Sequence, residues 1–233
     1  MKKIIHKADS RGLADFGWLH SRHTFSFGRY YNPDRVQFGA LRVLNDDIVE
    51  PGMGFGTHPH DNMEIVSIPL AGTLAHKDST GTEQSIETGE VQIMSAGTGL
   101  THSEYNYSKS DQVNFLQIWV LPKERNITPR YDQRHFDFKQ NELTTVVSPN
   151  DESALWINQD AWFSIGQIEK GQQMNYKLHS DGSGVYAFVI DGEVEVSGER
   201  LGKRDAMGLS ELKDIQLEAL TDSRVLFIEV PMG

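Results

Sequence analysis

Gly52-Met-Gly-Phe-Gly-Thr-His58-Pro59-His60 and Gly97-Thr-Gly-Leu-Thr-His102-Ser103-Glu104 are the two stretches on which the reading of this chain turns. In each, two metal-capable side chains stand two residues apart. Successive side chains on a β-strand point to opposite faces, so residues two apart share a face and their donor atoms can converge on one ion. Two such pairs on neighbouring strands make a shell of three imidazoles and one carboxylate. That ligand set suits Fe(II), Mn(II), Ni(II), Cu(II) or Zn(II) and by itself selects none of them. Glu64, four residues after His60, shares its face if the strand runs on without a bulge, so the residues alone leave two candidate carboxylates.

Outward from these motifs, short apolar runs recur between Gly, Asp, Asn and Pro: Phe38 to Leu44, Glu64 to Leu70, Val91 to Met94, Phe115 to Leu121, Val185 to Ile190 and Val225 to Val230. This spacing predicts an all-β chain of sandwich or barrel type. Only Leu209 to Leu220 and Lys139 to Leu143 read as helix or strand alike, so little helix is expected. An internal echo suggests duplication. Pro69-Leu-Ala-Gly-Thr-Leu-Ala-His76 and Val189-Ile-Asp-Gly-Glu-Val-Glu-Val196 each read as strand, glycine turn and returning strand. Gly89 to Met94 and Arg204 to Leu209 follow them as further strands, at offsets of about 120 and 115 residues. Leu121 to Tyr131, with two prolines, reads as the linker. The expected division is therefore a metal-binding N-terminal barrel over 1–134 and a C-terminal barrel over 135–233, which keeps His179 but no His-x-His.

With 33 acidic against 22 basic residues and a net charge of -11, the chain lacks the clustered cations that phosphate backbones require, so direct nucleic-acid binding is disfavoured. The absence of cysteine excludes disulfides, thiolate metal sites and cysteine nucleophiles. Met1-Lys-Lys-Ile-Ile-His-Lys7 returns to charge at once, and no later segment has the length and apolarity of a membrane span, which predicts a cytoplasmic protein with no membrane partner. The glycine runs at 52–56 and 97–99 lead into histidine-bearing strands and not helices, so they read as turns and not as nucleotide loops. No Gly-x-Ser-x-Gly elbow is present for hydrolase chemistry. The other histidines, His6, His20, His23, His76, His135 and His179, are expected to be ordinary surface or core residues. Phe55, Met94 and Trp119, next to the motifs, are expected either to line a pocket or to pack the core.

Gly52 through Glu64 resembles the first cupin motif, and Gly89 to Asn106 resembles the second. A narrower resemblance is to the pirin family. It rests on His58-Pro59-His60 and Gly99-Leu-Thr-His102-Ser-Glu104, together with Gly17-Trp-Leu19, Thr24-Phe-Ser-Phe27, Leu41-Arg-Val-Leu-Asn45, Phe55-Gly-Thr57, Met94-Ser-Ala-Gly-Thr-Gly99 and Gln117-Ile-Trp119. The resemblance implies a bicupin, two small jelly-roll-like β-barrels packed together. One would hold a single metal, usually iron, through His58, His60, His102 and Glu104, with Mn, Ni, Cu, Co or Zn as other candidates. It favours Glu104 over Glu64 as the ligand, and leaves Glu64 to orient a ligand imidazole. Bacterial quercetinases in the family imply a dioxygenase acting on a flavonol such as quercetin with O2 and releasing CO, with Glu104 as the base for the 3-hydroxyl proton. The alternative implied function is a metal-loaded, redox-responsive regulator that docks on a protein partner without turnover.

Overall fold

Glycines in the left-handed region punctuate the chain where the sequence echo places its turns. Gly72 (φ 79°) joins strands Glu64–Ala71 and Thr73–Asp78, and Gly192 (φ 85°) joins Ser183–Asp191 and Val194–Val196. A side chain with a Cβ is disfavoured at such φ values. In the computed structural model, which describes residues 1–233, each of these matched turns carries the chain from one sheet to the facing sheet of a sandwich instead of back along the strand it leaves, and the two sandwiches share one construction.

The first sandwich has a seven-stranded sheet in the order Arg130–His135, Glu90–Ser95, Glu64–Ala71, Val113–Val120, Leu41–Val49, Leu19–His23, Gly12–Asp15. Against it lies a four-stranded sheet ordered Gly54–His60, Leu100–Asn106, Thr73–Asp78, Glu83–Glu87. The second repeats the plan. Its large sheet runs Lys2–His6, Ala206–Ser210, Ser183–Asp191, Ser223–Pro231, Trp162–Ile168, Leu143–Ser148, Leu155–Trp156, and its small sheet Gln173–Lys177, Asp214–Ala219, Val194–Val196, Glu199–Leu201. The fold is two cupin domains, all β, and the one helical element is a single 3-10 turn at Ala8–Ser10. The two stretches that read as helix or strand alike hold strand and turn, with no helix.

The large sheets pack back to back. Along Val113–Val120, Leu116, Ile118 and Val120 enter a 27-residue core shared with Phe163, Phe188 and Ile228 of the second domain, whereas Val113 and Phe115 face into the first sandwich. Burial on both faces is why such strands read as unbroken apolar runs instead of alternating ones. The chain's beginning was not expected where it lies. Lys2–His6 pairs with Ala206–Ser210 and covers an edge of the second domain's large sheet, so that the first residues of the chain complete the last domain. His6 anchors it there, its Nδ1 2.6 Å from the buried Tyr186 hydroxyl.

The expected linker is docked rather than loose. Lys123 N donates to Asn158 O at 2.7 Å, and Asn158 Nδ2 donates to Glu124 O at 2.7 Å. Arg130–His135 then joins the first domain's large sheet.

Candidate metal centre

Strand Gly54–His60 is the outer strand of its sheet and pairs only with Leu100–Asn106. That position admits Pro59, since an edge strand has an unpaired side on which a missing N–H costs nothing. His58 stands opposite His102, but Phe55 stands opposite Glu104, so the outer strand bulges across Gly56 and Thr57. The bulge leaves the Gly56 carbonyl 2.8 Å from His58 Nδ1. Donating there fixes Nδ1 as the protonated nitrogen and turns the Nε2 lone pair inward. Gly54 permits the close pairing, because a Cβ at that position would lie 2.3 Å from the Glu104 carbonyl oxygen.

The three imidazoles converge. His58 and His102 have ring centroids 4.5 Å apart, His58 and His60 4.8 Å, and His60 and His102 4.8 Å. His58 Nε2 and His102 Nε2 are 3.1 Å apart, and one nitrogen from each of the three rings falls within 4.8 Å of the others. Trp119 closes one side, its ring edge-on to His60 at 4.9 Å.

Glu104 meets His102 from the other side. Leu100, His102, Glu104 and Asn106 are all buried along one face of their strand, yet Glu104 groups with His102 and His76 instead of with His58 and His60. Its Oε2 accepts from Gln117 Nε2 at 2.5 Å. Ser67 Oγ lies 3.0 Å from both Glu104 Oε1 and Gln117 Oε1, and its single proton serves one of them at a time. The structure thus holds two adjoining groups with His102 common to both.

Glu64 is placed elsewhere. The strand ends at His60, and Asn62 (φ 46°) turns the chain before Glu64 begins the next strand in the other sheet. Asn tolerates that conformation better than most residues. Glu64 is buried, accepting from Ser95 Oγ at 2.7 Å and from Asn158 N at 3.1 Å, and so ties the two domains together rather than orienting a ligand imidazole.

His76, read from sequence as an ordinary histidine, is the functional candidate that sequence reasoning missed. It is buried opposite Glu104 on the third strand of the sheet, with Nε2 3.1 Å from Asp78 Oδ2 and Nδ1 without a partner. No motif spacing marks it, because its position depends on strand pairing alone. Of the three flanking apolar residues, Met94 packs in a small core with Ile65, Ala96 and Leu100. Phe55 lines a cavity, and Trp119 stands at the histidines.

The donors fit a divalent transition ion. Burial, and then the neighbouring imidazoles, push His60 down to about 4. Burial, reinforced by His58 and His76, pushes His102 down to about 3. Both rings are therefore neutral at physiological pH, the state in which imidazole offers a lone pair. His102 Nδ1 is buried with no hydrogen-bond partner, so the protein alone leaves one nitrogen of this ring unsatisfied. Three imidazole nitrogens beside a carboxylate suit iron, nickel, copper or zinc better than calcium or magnesium.

Two cupin domains, one lined by histidines and one not, define a bicupin. The chain belongs to the pirin family: the Pirin family model matches residues 6–120, and the model for the quercetinase C-terminal cupin domain matches 145–230. It is 41% identical over 227 residues to a quercetin 2,3-dioxygenase of Escherichia coli K12, covering 97% of this chain and 98% of that protein. It is 37% identical over 225 residues to a pirin-like protein of Caulobacter vibrioides, covering 95% and 96%. Its structure superposes on that of the bacterial pirin YhhW of Escherichia coli in complex with nickel(II), with a TM-score of 0.95, 40% identity and full coverage of both chains.

Proposed function

We propose that this protein is a metal-dependent dioxygenase that cleaves a flavonol such as quercetin with O2, yielding a depside and carbon monoxide. The observation that carries the reading is the convergence of His58, His60 and His102 beside a buried, hydrogen-bonded Glu104. The 41% identity to a protein named quercetin 2,3-dioxygenase supports the substrate class. The nickel(II) complex of a 40% identical pirin supports a divalent transition ion.

In this reading His58, His60 and His102 hold the ion, Fe(II) by preference, with Glu104 as the fourth donor. When bound, the metal supplies Lewis acidity and a coordination position for the substrate oxygen. Glu104 accepts the proton of the flavonol 3-hydroxyl on a carboxylate oxygen. Gln117 Nε2, 2.5 Å from Oε2, and Ser67 hold that carboxylate in place, so proton transfer requires no side-chain search. The Gly56 carbonyl keeps His58 in the tautomer that binds.

The test is to load the protein separately with iron, manganese, nickel, cobalt, copper and zinc and supply quercetin in air. Loss of flavonol absorbance with stoichiometric CO release is expected with at least one metal. Absence of both with every metal would overturn the dioxygenase reading and favour a metal-loaded module that acts by docking on a protein partner.

A further inference from the structure

The interior of the first sandwich opens beside the histidine cluster as a cavity of about 540 Å³. Its rim is aromatic, with Phe16, Phe27 and Phe55 among its walls. Its floor is a square of four polar side chains. Ser21 and His23 alternate along one strand, Asn45 and Asp47 along the next, and the register sets Ser21 opposite Asp47 and His23 opposite Asn45. All four point to the same inner face, and they are 1%, 4%, 3% and 3% exposed.

Each of the four carries an atom with no hydrogen-bond partner: Ser21 Oγ, His23 Nδ1, Asn45 Oδ1 and Asp47 Oδ1. Buried polar atoms are nearly always paired, so four orphans on the floor of one cavity mark a surface that awaits a ligand. The set is rich in acceptors: an amide oxygen that can only accept, and a carboxyl, a hydroxyl and an imidazole that can accept as well. A ligand bearing hydroxyl donors completes it. Burial pushes Asp47 up to about 7, so this carboxyl can pair with a phenol near neutral pH at less electrostatic cost than a fixed anion.

The cavity's walls adjoin the residues around the metal centre. Asn45 stands opposite Gln117, which holds Glu104. A run of edge-on rings links them on the other side: His23 to Phe27 at 5.2 Å, Phe27 to Trp119 at 5.2 Å, and Trp119 to His60 at 4.9 Å.

We infer that Asp47 and Asn45 form a specificity subsite that receives the hydroxyl-bearing end of a planar polyphenol while the aromatic rim packs its faces. The identity of the ligand class rests on the dioxygenase reading; the subsite itself rests on the four orphaned atoms. Its test is therefore binding without turnover. Affinities of the metal-free full chain for quercetin and for flavone, which lacks every hydroxyl, are measured by calorimetry or tryptophan quenching under anaerobic conditions. Asp47→Leu is expected to weaken quercetin at least about tenfold and to leave flavone unchanged or tighter, since a hydroxyl loses its charged or polar partner. Asp47→Asn, which keeps one acceptor oxygen and the side-chain shape, is expected to lie between and decides the matter if the leucine variant does not fold. Equal effects on both ligands, or none on either, in a variant with the wild-type circular dichroism spectrum would overturn the subsite. A preserved contrast between ligands with no CO from any metal-loaded form would overturn the dioxygenase reading alone.

Discussion

The two domains share one frame and differ in what they turn inward. In the first, Val113, Phe115 and Gln117 face the interior of the sandwich; in the second, Val225, Phe227 and Glu229 do so from the equivalent strand. Leu100–Asn106 buries His102, Glu104 and Asn106, whereas Asp214–Ala219 buries Ile215, Leu217 and Ala219. The second interior is one apolar cluster of 15 residues, while the first keeps only clusters of six and four around its polar centre. A buried apolar side chain stabilises by roughly 1.5–3 kcal/mol, and a buried polar one costs unless it is paired. The comparison therefore assigns stability to the second interior and the shared 27-residue core, and chemistry to the first.

The largest effect should come from breaking the polar interior at its shared residue. His102→Ala is expected to abolish stoichiometric metal binding, measured by metal analysis after dialysis, with an unchanged far-UV spectrum. If metal is retained at one equivalent, the centre is not where the histidines converge. If the domain unfolds, its polar interior holds the fold after all, and the comparison fails.

Glu229 is the exception that the second interior keeps. Fully buried, it accepts from Tyr176 Oη at 2.9 Å, from the backbone N–H groups of His179 and Ser180 at 3.0 Å, and from His179 Nδ1 at 2.9 Å. Burial pushes its carboxyl up, but the donors from His179, Ser180 and Tyr176 more than offset this and hold it below the usual range. A carboxyl depressed in the folded state adds stability above its unfolded value, near 4.3, and that stability is lost as pH falls through the folded value. Glu229→Gln should cost about 2–4 kcal/mol in urea unfolding at pH 7 and much less in acid, with metal content untouched. A loss of metal would show that the two interiors are not separate in role.

Asp47 gives the opposite slope. With its carboxyl raised to about 7, the folded state holds a proton that the unfolded chain releases near 3.9, so stability falls as pH rises from about 4 to 7 and levels off above. The stability of Asp47→Asn relative to wild type should therefore rise between pH 5 and pH 8 by on the order of 2 kcal/mol, read from thermal melts. A difference that does not vary with pH would mean that Asp47 is already ionised in the cavity.

Much of this was legible in the sequence for local reasons. His58-Pro59-His60 and His102-Ser103-Glu104 reveal themselves because a two-residue offset is a geometric statement on a strand, and the turns at Gly72 and Gly192 because a turn demands glycine. The remainder depends on pairing between distant strands. His76 becomes a neighbour of Glu104 only through the register of two strands, and Lys2–His6 joins the second domain across the length of the chain. Glu64 leaves the face of His60 because Asn62 turns the chain between them, a turn that residue spacing does not reveal. His179 gained no weight from sequence because its partner, Glu229, lies 50 residues away.

Pro59 offers the smallest expected effect and the sharpest check on local geometry. It lies between two metal-capable histidines, yet it sits on the unpaired side of an edge strand, where its missing N–H leaves no hydrogen bond unmade. Replacing it by alanine restores an N–H that faces open space and loosens the unfolded chain, a change of about 0.5–1 kcal/mol. Pro59→Ala should therefore shift the melting temperature by a few degrees at most and keep one equivalent of metal. His58 is held by the Gly56 carbonyl and His60 by the edge-on Trp119, and neither restraint passes through the proline. A substantial fall in metal affinity in this variant would show that the proline itself sets the angle between the two imidazoles, and that the centre is less preorganised than the bulge and the tryptophan make it.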